Sequence, residues 1–317
     1  MLNYTEKVWG LPCSKISAEW AVQRIKGLSI SSIIKNILFK SKGPKTLVKQ
    51  FYYARNGSGT IYETMINEAI KNGAKILFNS YPIKIKLKDD KVCKILIKYG
   101  KGEKNIKVKH LISSIPITEM IRLLDADENL LRIAKKLKFR SHLSLFITLK
   151  RERIFRDQWI YFPEKTIPFG RVMEPKNFSS ALSPKNKTSL LLEFFCWYND
   201  RIWKASKEEL LDISMDVLED IGFVKRNDVI SAYVHKERYA YPVYEVGYEK
   251  KLNRVKEFLN TISNLQYVGR AGRFKYNNQD HAIEMGLLAA RNLIEKRKYN
   301  LDEVGAEKEY FEKGYVK

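Results

Sequence analysis

Apolar residues recur at helical spacing in several stretches of this chain, and most of these stretches begin or end at a capping or stop residue. In one of them Ile61, Met65 and Ala69 share a face, which we expect to be buried. Ser206 and Glu209 have the spacing of a capping box, which predicts the start of a helix. The predicted helices cover residues 17–27, 60–72, 206–222, 251–260 and 280–296. Residues 28–38 are an apolar stretch that fits a core or cap helix better than a helix on a membrane surface.

Alternating apolar and polar residues predict β-strands elsewhere in the chain. Residues 83–108 alternate at period two in three segments, which Asp89-Asp90 and Gly100 separate as turns. This pattern predicts a β-meander with one face in water. An apolar run over residues 190–198, interrupted by Glu193, predicts a buried strand. Further strands are predicted at residues 75–78, 111–116, 142–150, 229–236 and 265–269, and loops at residues 7–13 and 239–244.

The run from Tyr267 to Asp280 joins a predicted strand to a predicted helix through small and polar residues. Gly269 and Gly272 let the backbone approach a ligand closely. Because the run ends in good N-terminal capping residues, a helix dipole beside Arg270 would favour an anion or a carbonyl oxygen. An ordinary connection with a solvated arginine explains the same residues, and both interpretations stay open. The helix that follows is predicted to bury Ile283, Leu287, Ala290 and Ile294.

Composition excludes several classes of protein. The chain has 317 residues, of which 44% are hydrophobic and 12% aromatic, so it can bury a sizeable core and is not disordered. No apolar run reaches the length of about 18 residues that a membrane-spanning helix needs. Cys13, Cys93 and Cys196 are too few and too scattered for a disulfide framework or a metal cluster. These features predict a protein of a reducing, cytoplasmic compartment.

The net charge of +22 could serve nucleic acid or an anionic membrane surface. The lysines are dispersed along the chain, however, and do not form a basic tail or accompany a recognition motif. We therefore favour lysines spread over solvated faces, without a specific nucleic-acid partner.

Motifs that would identify a nucleotide site or a hydrolase are absent from the sequence. Gly57-Ser-Gly59 is the nearest approach to G-x-G-x-x-G, but Tyr62 takes the place of the third glycine. No residue can be named as a general base. Aromatic residues in predicted loops either line a pocket or pack in the core with a wet polar tip, and the core is the commoner outcome for each one. These residues are Trp9, Trp159, Tyr161, Tyr239, Tyr241 and Tyr244.

Four stretches, taken in chain order, resemble the FAD-linked superfamily that contains protoporphyrinogen oxidase, the amine oxidases and UDP-galactopyranose mutase. The first has Lys7, Trp9 and Gly10 as its core. Each stretch is short, but four in the same order cover nearly the whole chain. The stretches are residues 4–10, residues 55–59, residues 112–116, and residues 241–244 with 268–272 and 278–280.

The resemblance implies an α/β fold with an α+β substrate domain. Residues 1–44 would form a substrate-domain or cap segment, 45–122 and 261–317 parts of the FAD-binding domain, and 123–260 the substrate domain. The implied FAD-binding residues are Ser113 and Ser114 near the adenosine, Gly269, Arg270 and Gly272 near the ribityl and diphosphate, and Asn278, Gln279 and Asp280 near the isoalloxazine carbonyl. The implied substrate-binding residues are Trp9, Arg55, Tyr241 and Tyr244.

One departure from the superfamily pattern affects the expected function. Its members begin with a βαβ unit that carries G-x-G-x-x-G and holds the FAD pyrophosphate, and this sequence starts after such a unit. We therefore expect a truncated FAD site that a separate N-terminal Rossmann polypeptide could complete. The implied function is flavin-mediated oxidation of a small molecule. The alternatives are a redox-neutral, mutase-like rearrangement of a nucleotide sugar in polysaccharide biosynthesis, and a non-catalytic relative that acts as a binding protein.

Overall fold

The structure, a computed structural model, describes residues 2–17 and 52–305. Apart from Ser17, the predicted helix over residues 17–27 and the apolar stretch over residues 28–38 lie outside these ranges. The helices are α1 (Leu2–Trp9), α2 (Gly59–Lys71), α3 (Ile117–Leu123), α4 (Glu128–Lys135), α5 (Arg201–Lys204), α6 (Lys207–Asp220), α7 (Tyr248–Thr261), α8 (Gly269–Arg273) and α9 (Gln279–Ile294). The strands are β1 (Ser80–Lys88), β2 (Lys91–Tyr99), β3 (Gly102–Lys107), β4 (Leu111–Ser113), β5 (Phe139–Leu149), β6 (Trp159–Tyr161), β7 (Arg171–Met173), β8 (Thr188–Cys196), β9 (Val229–Pro242) and β10 (Leu265–Tyr267).

The chain divides into two compact units, each built from separate stretches of sequence. Among the described residues, unit 1 contains 2–14, 52–76 and 139–241, and unit 2 contains 15–17, 77–138 and 242–305. No helix in the described part of the chain combines the length and the apolar character that crossing a bilayer requires.

Unit 1 is organised around a five-stranded sheet with the order β6-β7-β8-β5-β9. One face of this sheet is a fully buried aliphatic layer against α6, and each such side chain stabilises the fold by about 1.5–3 kcal/mol. The predicted capping box is confirmed, because Ser206 Oγ accepts a hydrogen bond from Glu209 N and the Glu209 carboxylate accepts one from Ser206 N. The central core residues are Leu143, Leu145, Ile147, Leu190, Leu192, Phe194, Leu210, Met215 and Leu218.

Three local predictions in unit 1 are wrong. Residues 239–242 continue β9 instead of forming a loop, because ring contacts such as that of Tyr239 with Phe139 join them to the sheet. Residues 7–9 belong to α1, since Arg140 donates hydrogen bonds to the last carbonyl groups of that helix. The stripe predicted to be buried on α2 is open, with Ile61 and Met65 both 44% exposed.

Gly10 shows why α1 ends where it does. Its φ of +65° lies in the left-handed region that favours glycine after a helix. A Cβ atom there would lie 2.6 Å from the guanidinium carbon of Arg140, so a larger residue would have to displace that side chain. The glycine of the Lys7-x-Trp9-Gly10 motif therefore has a structural reason in this chain.

Unit 2 contains the predicted meander, in which β1, β2 and β3 pair in that order. Asp89 and Asp90 both have positive φ, as a two-residue turn between twisted strands requires. Beside the meander, β4 and β10 form a parallel pair. The buried Asn264 side chain joins the two sheets, because it bonds both backbone groups of Val92 and the carbonyl of Lys109.

Two further predictions fail in unit 2 and at its boundary. Residues 75–78 have no strand partner in the described part of the chain and are not a strand. Helix α9 forms as predicted but turns another face inward, since His281, Met285 and Ala289 are buried. Leu287 is 56% exposed, and Ile294 is 80% exposed. The buried face packs against Val268, Leu301 and Val304.

Candidate functional site

The carboxyl ends of β4 and β10 form the first candidate site, in unit 2. The two strands are parallel, with Ser113 opposite Tyr267, so their ends lie at the same edge. Val268 N donates a hydrogen bond of 2.8 Å to Ser113 O. The structure therefore brings together Ser114 and Gly269, which come from two distant stretches of the predicted cofactor site.

The two glycines of this turn have different structural roles. Gly269 has a φ of +76°, which an L side chain rarely adopts. A Cβ atom on Gly272 would lie 3.2 Å from Ser113 O and 3.3 Å from Ile115 O. Gly272 therefore lets α8 lie directly on the chain that follows β4. Its predicted contact with the flavin stays a prediction.

Arg270 organises the loop between α8 and α9. Its guanidinium donates from Nε and Nη2 to the carbonyl oxygen of Asn277 and lies 4.9 Å from the centre of the Tyr276 ring. The buried Asn277 Oδ1 has no hydrogen-bond partner in the described structure. A buried carbonyl oxygen without a donor is costly, so this loop fits a ligand that supplies one.

The start of α9 carries the three remaining cofactor candidates, Asn278, Gln279 and Asp280, and all of them are exposed. Asn278 N donates to His281 Nδ1, and His281 N donates to the Asp280 carboxylate. Because Asp280 already places a negative charge at the positive end of the helix dipole, this end suits a neutral carbonyl better than a phosphate.

A salt bridge that the sequence did not reveal holds residues 300–305 against α8. Arg273 is buried and donates to the Asp302 carboxylate and to Tyr267 O. Burial alone would raise the pKa of Asp302, but the hydrogen bond and charge of Arg273, with Lys256 nearby, lower that pKa to about 2. This salt bridge thus fixes the C-terminal end of α8, the short helix of the candidate site.

A second candidate site lies on the less buried face of the unit 1 sheet. Tyr161, Arg171 and Glu193 lie directly opposite one another on β6, β7 and β8. Arg171 donates to Glu193 in a fork, with Nε–Oε2 at 2.6 Å and Nη2–Oε1 at 2.7 Å. Although burial acts against its charge, the bond to Glu193 raises the pKa of Arg171 above its usual range. We call Tyr161, Arg171, Glu193 and His142 the polar ladder.

His142 extends the polar ladder onto β5. Its Nε2 lies 3.7 Å from Glu193 Oε1 and has no hydrogen-bond partner in the described structure. Burial lowers the pKa of His142, and the neighbouring Glu193 only partly offsets this. A neutral imidazole next to the Arg171–Glu193 pair can accept or donate one hydrogen bond without adding charge.

Aromatic rings surround the polar ladder. Tyr4 meets Tyr161 edge-on with 5.1 Å between ring centres, and burial raises the pKa of its hydroxyl above the usual range. Tyr241 lies 6.0 Å from Phe195 and 6.4 Å from Trp9, measured between ring centres. Tyr161 itself is 49% exposed, so the ladder opens to solvent at its β6 end.

The four predicted substrate residues occupy different surroundings. Trp9 and Tyr241 touch in unit 1, with Trp9 only 2% exposed. Arg55 is exposed, and its carbonyl accepts a hydrogen bond from Ser179 Oγ. Tyr244 is buried in unit 2, where it stacks on Tyr248 and accepts a hydrogen bond from Tyr276 N. Their roles towards a substrate stay predictions.

Sequence reasoning missed Arg171 and His142 entirely. Glu193 was visible as the single acid in an apolar strand, which is a signal for a buried carboxylate with a partner. The partner itself could not be found, because Arg171 lies 22 residues away and only the strand register brings it opposite.

No family model matches the chain, but solved structures do. Reduced UDP-galactopyranose mutase has a TM-score of 0.77 and 22% identity, covering 96% of this chain and 67% of its own. An oxidoreductase from Methanosarcina mazei has a TM-score of 0.60 and 14% identity, covering 92% and 63%. Wild-type putrescine oxidase bound to putrescine has a TM-score of 0.58 and 13% identity, covering 92% and 64%.

The chain has the fold that these three solved structures share. The predicted fold class, α/β with an α+β part, is confirmed, and so is the resemblance on which it rested. At identities of 13–22% the likeness concerns the fold. The chain spans 63–67% of the length of these three structures.

Proposed function

We propose that this chain is the larger part of a flavin-dependent enzyme that rearranges a nucleotide sugar, in the manner of UDP-galactopyranose mutase. The observation that supports this choice over oxidation is the difference in likeness. The mutase matches at a TM-score of 0.77 over 96% of the chain, whereas the two oxidoreductases match at 0.58 and 0.60 over 92%.

In this proposal unit 2 holds FAD, which supplies the electron or hydride chemistry when bound. The residues that would hold it are those at the ends of β4 and β10 and at the start of α9. The glycine turn at Gly269, the close contact of Gly272 with β4 and the unsatisfied Asn277 Oδ1 fit a flat polar group with hydrogen-bond donors. The contacting residues would be Ser113, Ser114, Gly269, Arg270, Asn278, Gln279 and Asp280.

The FAD diphosphate needs a further unit, because the sequence has no G-x-G-x-x-G turn. The pair β4–β10 is suited to receive one. Parallel strands are normally buried on both faces in longer sheets. Among residues 2–17 and 52–305, however, this sheet has two strands of three residues, and Ile112 is 38% exposed. We propose that a βαβ dinucleotide-binding unit, such as a separate N-terminal Rossmann polypeptide, adds its strands to this pair.

The polar ladder of unit 1 would bind the anionic part of the substrate. Glu193 occupies the Nε and Nη2 side of Arg171, so the remaining N–H groups are oriented and left for a phosphate. Arg171 also lies 5.9 Å from the centre of the Tyr161 ring, whose exposed surface can stack on a sugar or a base. A nucleotide sugar offers both groups.

Flavin binding is the first test. The chain is titrated with FAD, alone and with the dinucleotide-binding domain of a UDP-galactopyranose mutase added as a separate polypeptide, and flavin fluorescence is followed. We expect quenching at least with the added domain. Unchanged fluorescence in both arms would overturn the flavin proposal and favour a non-catalytic binding protein.

Product analysis is the second test. The flavin-loaded complex, oxidised or chemically reduced, is incubated with UDP-galactopyranose, and the furanose isomer is sought by anion-exchange chromatography. We expect that isomer without net oxidation. Hydrogen peroxide formed from an amine, with no sugar isomer, would instead assign the chain to oxidase chemistry.

The Arg171→Lys variant tests the substrate contact, because lysine keeps the charge and loses the planar fork. We expect KM for the nucleotide sugar to rise about tenfold or more, which corresponds to one lost charge-assisted bond. Arg226→Lys is the matched control, since Arg226 forms exposed salt bridges with Asp212 and Asp216 on the same unit. Equal KM values for the two variants would remove Arg171 from the substrate site.

A further inference from the structure

The meander of unit 2 carries far more positive charge than its share of the chain. Residues 80–109 contain ten lysines and three acidic residues, a net charge of +7 within the chain's +22. This segment contains no arginine and is less than a tenth of the sequence. The charge is therefore concentrated here, although the lysines are never adjacent in sequence.

Strand register gathers several of these lysines on one side of the sheet. Lys94 on β2 lies directly opposite Lys86 on β1 and Lys107 on β3, which makes a row across all three strands. Lys84 and Lys98 lie two or four positions along the same strands and share that side. We call Lys84, Lys86, Lys94, Lys98 and Lys107 the lysine face. Glu103 lies opposite Lys98 at one end of this face. The other side of the sheet carries the buried Ile85 and Ile97, with Lys104 opposite Ile97.

The central row of the lysine face lacks neutralising charge. Within residues 2–17 and 52–305, no carboxylate forms a salt bridge with Lys86, Lys94 or Lys107. On the lysine face of this described part, Lys84 alone forms a salt bridge, to Asp125 at 3.4 Å. Like charges directly opposite on neighbouring strands destabilise a sheet. A row of this kind costs the fold stability, and an anionic partner would remove that cost.

We propose that the lysine face binds the surface of an anionic lipid bilayer. The lysine side chains leave the same side of the three-stranded sheet, so several of them can face a bilayer surface at the same time. Lysine without arginine suits diffuse attraction to headgroups better than base or phosphate recognition through a guanidinium fork. Tyr81, 59% exposed, lies opposite Lys98 on the same face, where an amphipathic ring can enter the headgroup layer.

This proposal does not depend on the proposed chemistry, because no residue of the lysine face belongs to either candidate site. It would hold the chain at a membrane surface through charge. Attraction of this kind is screened within a Debye length, so it should disappear at about 0.5 M NaCl.

The test is co-sedimentation of the full chain with phosphatidylcholine vesicles, with or without roughly 30% phosphatidylglycerol. We expect binding only to the anionic vesicles. The triple variant Lys86→Gln, Lys94→Gln, Lys107→Gln should lose about fivefold in partitioning per lysine, or about 100-fold together. The matched control is Lys136→Gln, Lys185→Gln, Lys250→Gln, which removes the same charge from exposed positions elsewhere and should keep most of the binding.

Three outcomes would overturn the proposal. They are equal losses in the two triple variants, no binding of the unmodified chain to anionic vesicles, and tighter binding to duplex DNA or RNA than to vesicles at the same salt.

Thermal unfolding provides the second readout. Relief of like-charge repulsion should raise the Tm of the lysine-face variant above that of the control variant, whereas a purely structural role for the three lysines predicts a lower Tm.

Discussion

Replacing Asp302 by asparagine should destabilise the protein at neutral pH and have little effect in acid. In the structure one Asp302 oxygen lies 2.9 Å from Arg273 Nε and 3.1 Å from Lys256 Nζ, and the other accepts from Arg273 Nη2. Arg273 is only 7% exposed, so the carboxylate neutralises a guanidinium that has little access to water. The asparagine variant keeps the shape and one acceptor but loses the charge.

The pKa of Asp302 gives the size of the effect. It falls from an ordinary 3.8 to about 2, because Arg273 and Lys256 outweigh the opposing effect of burial. At roughly 1.4 kcal/mol per pKa unit this shift corresponds to about 2.5 kcal/mol. Since the side chain is 46% exposed, solvent screening reduces the expected contribution to about 1–1.5 kcal/mol.

The sign follows from linkage. A carboxylate with a depressed folded-state pKa contributes stability that is complete above the unfolded-state pKa and is lost as the pH falls through the folded-state pKa. The gap in unfolding free energy between the unmodified chain and Asp302→Asn should therefore be full above pH 5 and shrink between about pH 4 and pH 2. Urea unfolding followed by tryptophan fluorescence at several pH values measures it.

Asp157→Asn is the control, since Asp157 is exposed and forms no salt bridge within the described residues. It should change the unfolding free energy by less than about 0.5 kcal/mol at every pH. A gap for Asp302→Asn that stays constant from neutral pH into acid would refute the electrostatic explanation, because protonated Asp302 would then still be stabilising.

Three other substitutions have consequences that the structure specifies. Gly272→Ala places a methyl group 3.2 Å from Ser113 O and should lower the unfolding free energy by about 1–2 kcal/mol, measured in urea, and weaken FAD binding. Lys176→Met removes an ammonium that lies within hydrogen-bond distance of four backbone carbonyl oxygens and should cost about 3 kcal/mol; an unchanged Tm would mean that water replaces the ammonium. Glu193→Gln leaves Arg171 without its counter-ion and should cost about 2–3 kcal/mol while raising KM; a change in stability alone would limit Glu193 to a structural role.

The sequence predicted those elements whose pattern is local. The meander needs only alternation at period two and turn residues that tolerate positive φ, and both are visible within residues 83–108. The helix after Ser206 is equally local, because both halves of its capping box lie within four residues. The prediction ended this strand at residue 236, whereas β9 continues to Pro242, because β9 lies at the edge of the sheet, where a proline is tolerated.

Elements decided by distant residues could not be predicted. Helix α9 buries Met285 and Ala289 because residues 301–304 pack against that face. The apolar pattern within the helix does not indicate which face those later residues cover. The same limit applies to the polar ladder, since its members are separated by up to 51 residues from His142 to Glu193 and only strand register makes them neighbours. By contrast, the meeting of Ser113 with the turn at Gly269 follows from two parallel strands ending at one edge, so resemblance to a parallel α/β fold was enough to anticipate it.

Charge shows how spacing in sequence can mislead about position in space. Lysines at every second position look dispersed along a chain, but alternate residues of a strand share one face, and pairing then aligns that face with its neighbours. A lysine that only aids solubility therefore differs from one that binds a partner in the charged groups around it in space, and not in its spacing along the sequence. Lys71 and Lys207 each have a carboxylate within 3.1 Å, whereas Lys86 and Lys94 oppose each other without one among the described residues. A charge that the fold leaves unneutralised at a cost in stability is the one for which an external anion has most to offer.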